Sequence, residues 1–394
     1  MCVLKGLVIE CYLIDEHLEM IAVTETIQNE TTAPVGDTNQ RVQALDCLRA
    51  IACLIVILSH TQKYTTDGGW SIGAYGVGLF CVLSGYLITS ILLRDEKEHG
   101  HVDITCFLKR RCLRILPAYF AVLLPCALLM KTGVFLKNHG SMVAKTLSEF
   151  PFFVTLTHNH GDGIGINHLW SISVEEQFYC LLPLLLIATK SKMLRQVFLI
   201  ATSLYMVRYA SLGSNEPYFC NAAFISLIIG SLMAMNFGPV TAFLNRFKTP
   251  TILCSAAVLL AASVLGRFCP YGPLYSTACA LIVWLCTTKC KDAPALNPLA
   301  YVGKVSYGIY LIHLPVCLVI YWYLSKFALQ HFVPLSFAIS AALSILLGAL
   351  SWELFEKRIL ALQNKFKHRS IDLILAAVSP LLLTVGAVLH LLHK

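Results

Sequence analysis

Arg49 and His60 stand eleven residues apart in the apolar run LDCLRAIACLIVILSH. On a helix turning about 100° per residue, that spacing returns both to one stripe, about 16 Å apart along the axis. Ionisable groups in hydrocarbon need a partner or a water-filled cavity, so each is a functional candidate. A plainer reading has Arg49 snorkelling to the interface and His60 capping the far end. The helix alone does not separate the two.

Lys109, Arg110, Arg111 and Arg114 follow in FLKRRCLRILPAYF, where steps of three and four stack like charges on one face. Such stacking costs energy unless an anion fills it. A phosphate or pyrophosphate, as in CoA, would serve, because guanidinium groups bind phosphate oxygens through paired hydrogen bonds. A plain positive-inside anchor would show the same cluster.

In HLWSISVEEQFYCLLPLLL, which starts at His168, the residues Ser171, Glu175 and Tyr179 recur every four positions in an otherwise apolar stretch. A carboxylate there needs a cation or a proton. Paired with His60, Glu175 would orient the imidazole for proton exchange. Glu176 points to another side and reads as an interfacial charge. Gly76, Gly78, Ser84 and Gly85 in GVGLFCVLSGYLI let helix backbones approach closely, with cavity lining as the second role for Ser84. Ser306, Tyr310 and His313 fall in YVGKVSYGIYLIHLPV. Tyr310 and His313 share a face, where they contact donor or acceptor, or satisfy each other as a hydrogen-bonding pair.

The elements that carry these groups follow from composition. Of 394 residues, 57% are hydrophobic and 13% charged, against about 25% charged in soluble domains. The lipid bilayer is the expected solvent. Eleven apolar segments are long enough to be spanning candidates, at 45–62, 72–93, 112–130, 168–189, 196–212, 218–237, 251–268, 272–288, 303–325, 333–355 and 371–392. The fold class is therefore all-α, a polytopic transmembrane bundle of about ten or eleven helices. With the N-terminus cytoplasmic, 21 of the 30 Lys and Arg residues fall on the inner side, as the positive-inside rule requires. The net charge of +8 reflects this topology and gives no case for nucleic acid.

Residues 1–40 lack a sustained apolar run and read as a disordered cytoplasmic tail. The bundle follows at 41–360 and a further helix at 361–394. The stretch 131–167 is external by parity, and its Phe150, Phe152, Phe153 and Val154 suit an interface or a dip into the protein. The sixteen cysteines lie mostly in apolar spans and read as small core residues. No Cys or His spacing suggests a metal.

The order of these pieces resembles the acyltransferase 3 family of integral membrane acyltransferases, which includes O-acetyltransferases of envelope glycans. The resemblance covers about 43–358 and rests on Arg49 and His60, GVGLFCVLSGYLI, RRCLRILPAY, HLWSISVEEQFY and SYGIYLIH. It implies acetyl-CoA or another acyl-CoA as cytoplasmic donor, a carbohydrate or lipid-linked glycan as acceptor, no metal, and the cytoplasmic (inner) membrane as the location. Under that reading Arg110, Arg111 and Arg114 hold the CoA phosphates, while His60 acts as general base with Glu175 and Arg49. Ser84, Ser306, Tyr310 and His313 then contact substrate. An acyl-histidine intermediate is the other route. Cys81 stands where the family often shows a second Phe, and the segment LFEKR around Glu356 lacks the Pro that often follows the closing acidic motif. A membrane transporter using the same His, Glu and Arg groups is the competing class, although its usual paired repeats are absent. A scaffold without catalysis is the third reading.

Overall fold

The computed structural model describes residues 42–65, 72–132, 140–159, 165–211, 218–265, 272–361 and 369–392, and within them each of the eleven apolar segments is mainly helical. The tail at 1–40 lies outside the described residues. The helices are α1 (Gln43–Thr65), α2 (Gly73–His99), α3 (Ile104–Thr132), the short α4 (Gly140–Ser148) and α5 (Phe150–Val154), and α6 (Trp170–Ala188). Then come α7 (Lys192–Ser211), α8 (Tyr218–Met235), α9 (Phe237–Leu244), α10 (Thr249–Leu265), α11 (Pro273–Thr288) and α12 (Asn297–Lys304). The last are α13 (Ser306–Ser325), α14 (Val333–Ser351), α15 (Lys357–Ala361) and α16 (Arg369–Leu392).

Among the described residues, seven helices are long and apolar enough to cross a bilayer: α1, α2, α3, α6, α13, α14 with its continuation, and α16. An eighth span arises if α8 and α9, bent by 80° at Asn236, count as one. The expected count of ten or eleven therefore separates into this set, two shorter apolar helices (α10 and α11) and α7. Lys192, Arg195 and Arg208 make α7 more polar than its neighbours.

The bundle centres on α1, which packs against α2, α12, α13 and α14, while α2 lies along α8. With no hydrophobic drive between helices in lipid, close packing must supply the attraction. A Cβ on Gly85 of α2 would run into the Leu227 carbonyl of α8, and one on Gly230 into the Val82 carbonyl of α2. These two glycines permit the contact.

Arg195 locks the α6–α7 turn onto α2. It donates to both Glu96 carboxylate oxygens at 2.7 Å and to the carbonyls of Leu186 and Thr189. The described part of the 131–167 stretch dips into the protein at its aromatics. Phe153 is fully buried, and its carbonyl accepts from the Tyr119 hydroxyl of α3 at 2.9 Å.

Candidate active site

Five helices, α1, α2, α3, α6 and α13, converge on a cavity of about 110 Å³. Arg49, Ser84, Arg111, Arg114, Glu175, Ser306 and Tyr310 all line it. Seven of the ten residues proposed as site residues thus share one chamber, with Ser171 and Tyr179 of the same α6 stripe beside them.

Local rules put them there. Gly100 ends α2 in a left-handed turn, at φ 75°, with its N–H on the Glu96 carbonyl. Asp103 then accepts from the Cys106 N–H at 2.9 Å, the cap that starts α3. From that start the basic cluster fans out around the helix. Lys109 turns away and pairs with Asp372 of α16 at 2.5 Å. Arg110 faces outward into a second, larger cavity of about 600 Å³ with Arg94, His99 and His101. Arg111 borders both cavities, and Arg114 lines the smaller one.

The Arg111 guanidinium carbon lies 5.6 Å from the ring centroids of Phe107 and Tyr179, within cation–π range. Glu175 accepts from the Tyr179 hydroxyl at 2.6 Å and from the Ser84 hydroxyl at 3.3 Å. It also lies in the electrostatic field of Arg111 and Arg49. Arg49 is paired with Asp46, one turn back on α1, at 2.8 Å. Glu356 sits on a π-turn (Trp352–Glu356), accepts from Ser351 at 2.7 Å and feels the charge of Arg114.

Above this chamber is a cluster of imidazoles. The His60 ring centroid is 5.2 Å from that of His313, which is 4.7 Å from that of His168. Tyr310 stands at the boundary. Its hydroxyl shares a 2.5 Å hydrogen bond with Ser171 and donates to the His168 carbonyl at 3.0 Å. Among the described residues, no three His, Cys, Asp or Glu side chains are arranged to hold a metal ion.

A family model described as an acyltransferase domain matches residues 42–352, most of the chain. The chain belongs to the acyltransferase 3 family. A Staphylococcus aureus (strain COL) protein named "Putative O-acetyltransferase" is 27% identical over 358 residues, covering 80% of this chain and 56% of the relative. The O-acetyltransferase OatA of Staphylococcus aureus (strain NCTC 8325 / PS 47) is 26% identical over 348 residues, covering 79% and 56%. The chain therefore spans a little over half the length of these curated relatives. No solved structure matches it.

Within this acyltransferase 3 fold several expectations change. His60 and His313 meet each other outside the lining of the small chamber. The expected pairing of Glu175 with His60 is replaced by hydroxyl partners, because Glu175 sits at the level of the guanidinium groups. Arg110 belongs to the neighbouring cavity, and Lys109 is spent on Asp372. Glu176 is not interfacial. It is 1% exposed, within electrostatic range of Arg111, Cys112 and Tyr119, since α3 covers the face of α6 that the sequence left unassigned. His168 was passed over in the sequence as a site residue. Its three-residue step to Ser171, which puts both on one side of a helix, was the available signal.

Proposed function

We propose that the chain is a membrane O-acyltransferase that moves an acyl group, acetyl by analogy with its named relatives, from acyl-CoA to a hydroxyl of an envelope carbohydrate or lipid-linked glycan. The observation that carries this reading is the single chamber in which Arg49, Arg111 and Arg114 face Glu175. Arg111 and Arg114 bring to it the planar donor sets that phosphate oxygens take up in pairs, and Arg49 is held by Asp46.

Size divides the donor between the two cavities. Drug-sized ligands occupy roughly 300–1,000 Å³, so a chamber of about 110 Å³ takes only the acyl thioester end of the donor. The larger cavity of about 600 Å³, lined by Arg94, Arg110 and Arg111 and also by Asp95, Glu98 and Asp103, is large enough for the nucleotide. Arg111 borders both and bridges the phosphates to the arm. The excess of Lys and Arg on the predicted inner loops supports a cytoplasmic N-terminus, donor access from the cytoplasm, and residence in the cytoplasmic membrane.

In the transfer step, His60 takes the proton of the acceptor hydroxyl as its oxygen bonds to the thioester carbonyl carbon. The carbon–sulfur bond breaks, and the CoA thiolate recovers the proton from the imidazolium. The ester forms with atoms and charge balanced. Glu175 and Arg49 hold the field around the reacting carbonyl without touching His60.

Purified protein incubated with radiolabelled acetyl-CoA and a glycan acceptor should yield labelled acceptor and free CoA in equal amounts. The His60→Ala variant should yield neither. Undiminished transfer by that variant, or uptake of intact solute without acylation, overturns the reading.

A further inference from the structure

His168 and His313 are 3% and 1% exposed, and each carries a ring nitrogen with no hydrogen-bond partner. The other nitrogen of each ring is fixed. His313 Nδ1 lies 2.6 Å from the Tyr310 carbonyl, and His168 Nε2 lies 3.1 Å from the Leu311 carbonyl. A carbonyl oxygen can only accept, so those two nitrogens must carry the hydrogens. The lone pairs are left on His313 Nε2 and His168 Nδ1.

Two lone pairs on rings 4.7 Å apart cannot satisfy one another. Burying them unmet is costly. The missing partner must bring hydrogen-bond donors, and a neutral one avoids placing charge in the membrane interior. Hydroxyl groups fit both demands. From these observations we infer that His168 and His313 form the acceptor subsite, binding two hydroxyl groups of a neutral sugar beside His60. The inference rests on the acyltransferase reading for the fate of the bound hydroxyl, and on the two unpartnered ring nitrogens for the binding.

Tyr310 connects this subsite to the donor chamber. The residue lines that chamber, its hydroxyl donates to the His168 carbonyl, and its own carbonyl sets the tautomer of His313. Donor and acceptor thus meet across one tyrosine. His60, with its ring 5.2 Å from that of His313, adjoins a hydroxyl held there.

The test is ¹⁵N NMR of the full chain in lipid nanodiscs with labelled histidine. The resting protein should show opposite tautomers for His168 and His313. Methyl β-glucoside should shift the two unprotonated nitrogens, and the corresponding signal should vanish in His168→Phe or His313→Phe. In transfer assays with the same glucoside, His313→Phe should raise the sugar KM about ten-fold, the loss of one buried hydrogen bond, with the acetyl-CoA KM unchanged. His313→Gln, which restores an acceptor atom, should recover most of that loss. If the phenylalanine variants fail to fold, the wild-type titration decides.

Nitrogens that respond to Zn²⁺ but not to the glucoside, or to neither, overturn the subsite. Glucoside-dependent shifts in a protein that transfers no acetyl group leave the subsite standing and overturn the acyltransferase reading instead.

Discussion

Tyr179 donates a 2.6 Å hydrogen bond to Glu175, one turn back on the same helix, while its ring lies 5.6 Å from the Arg111 guanidinium carbon. One side chain thereby fixes the acid and one of the cations of the chamber. Tyr179→Phe keeps the ring and removes the hydrogen bond, so transfer should fall about ten-fold. Tyr179→Ala, which also frees Arg111, should fall further. Equal kcat/KM for the two variants would refute the shared role.

Arg111→Lys keeps the charge but loses the planar group between Phe107 and Tyr179 and the paired geometry that suits phosphate. The KM for acetyl-CoA should rise about ten-fold or more while the acceptor KM holds. Steady-state kinetics with each substrate varied in turn provides the check.

Lys109 belongs to the same basic cluster but pairs with Asp372. Lys109→Met should leave the acetyl-CoA KM unaltered and weaken the docking of α16 on α3, by roughly 1–3 kcal/mol for an abandoned, partly buried partner. Thermal unfolding in detergent measures the second effect. A higher KM without loss of stability would return Lys109 to the donor site.

Gly85→Val places a branched side chain against the Leu227 carbonyl of α8. Overpacking of this kind costs about 1–3 kcal/mol or more. The variant should melt at lower temperature, and the same change at Gly238, where an added Cβ meets nothing within 4 Å, should not.

Arg195→Met removes four hydrogen bonds and leaves Glu96 without its bidentate partner. Breaking a buried pair on one side costs about 3–5 kcal/mol. Glu96 is 25% exposed at its side chain, so the loss should fall below that range. A double-mutant cycle with Glu96→Gln isolates the coupling.

The sequence by itself determined the solvent, the helical segments and the family, because these depend on apolar run length and on motif order along the chain. It also marked Arg49, Arg111, Arg114 and Glu175, since charge in an apolar run is conspicuous without coordinates. Only tertiary structure decided which of these groups meet. Helical phase fixes the side of a helix on which a residue lies but not the neighbour that covers that side. Glu175 found hydroxyls rather than His60 because α2 and α6 bring Ser84 and Tyr179 to its oxygens. Glu176 became buried because α3 and α16 both pack on α6, and His168 joined His60 and His313 across three separate segments. Local spacing carries no information on contacts between residues on separate helices, and packing alone resolves them.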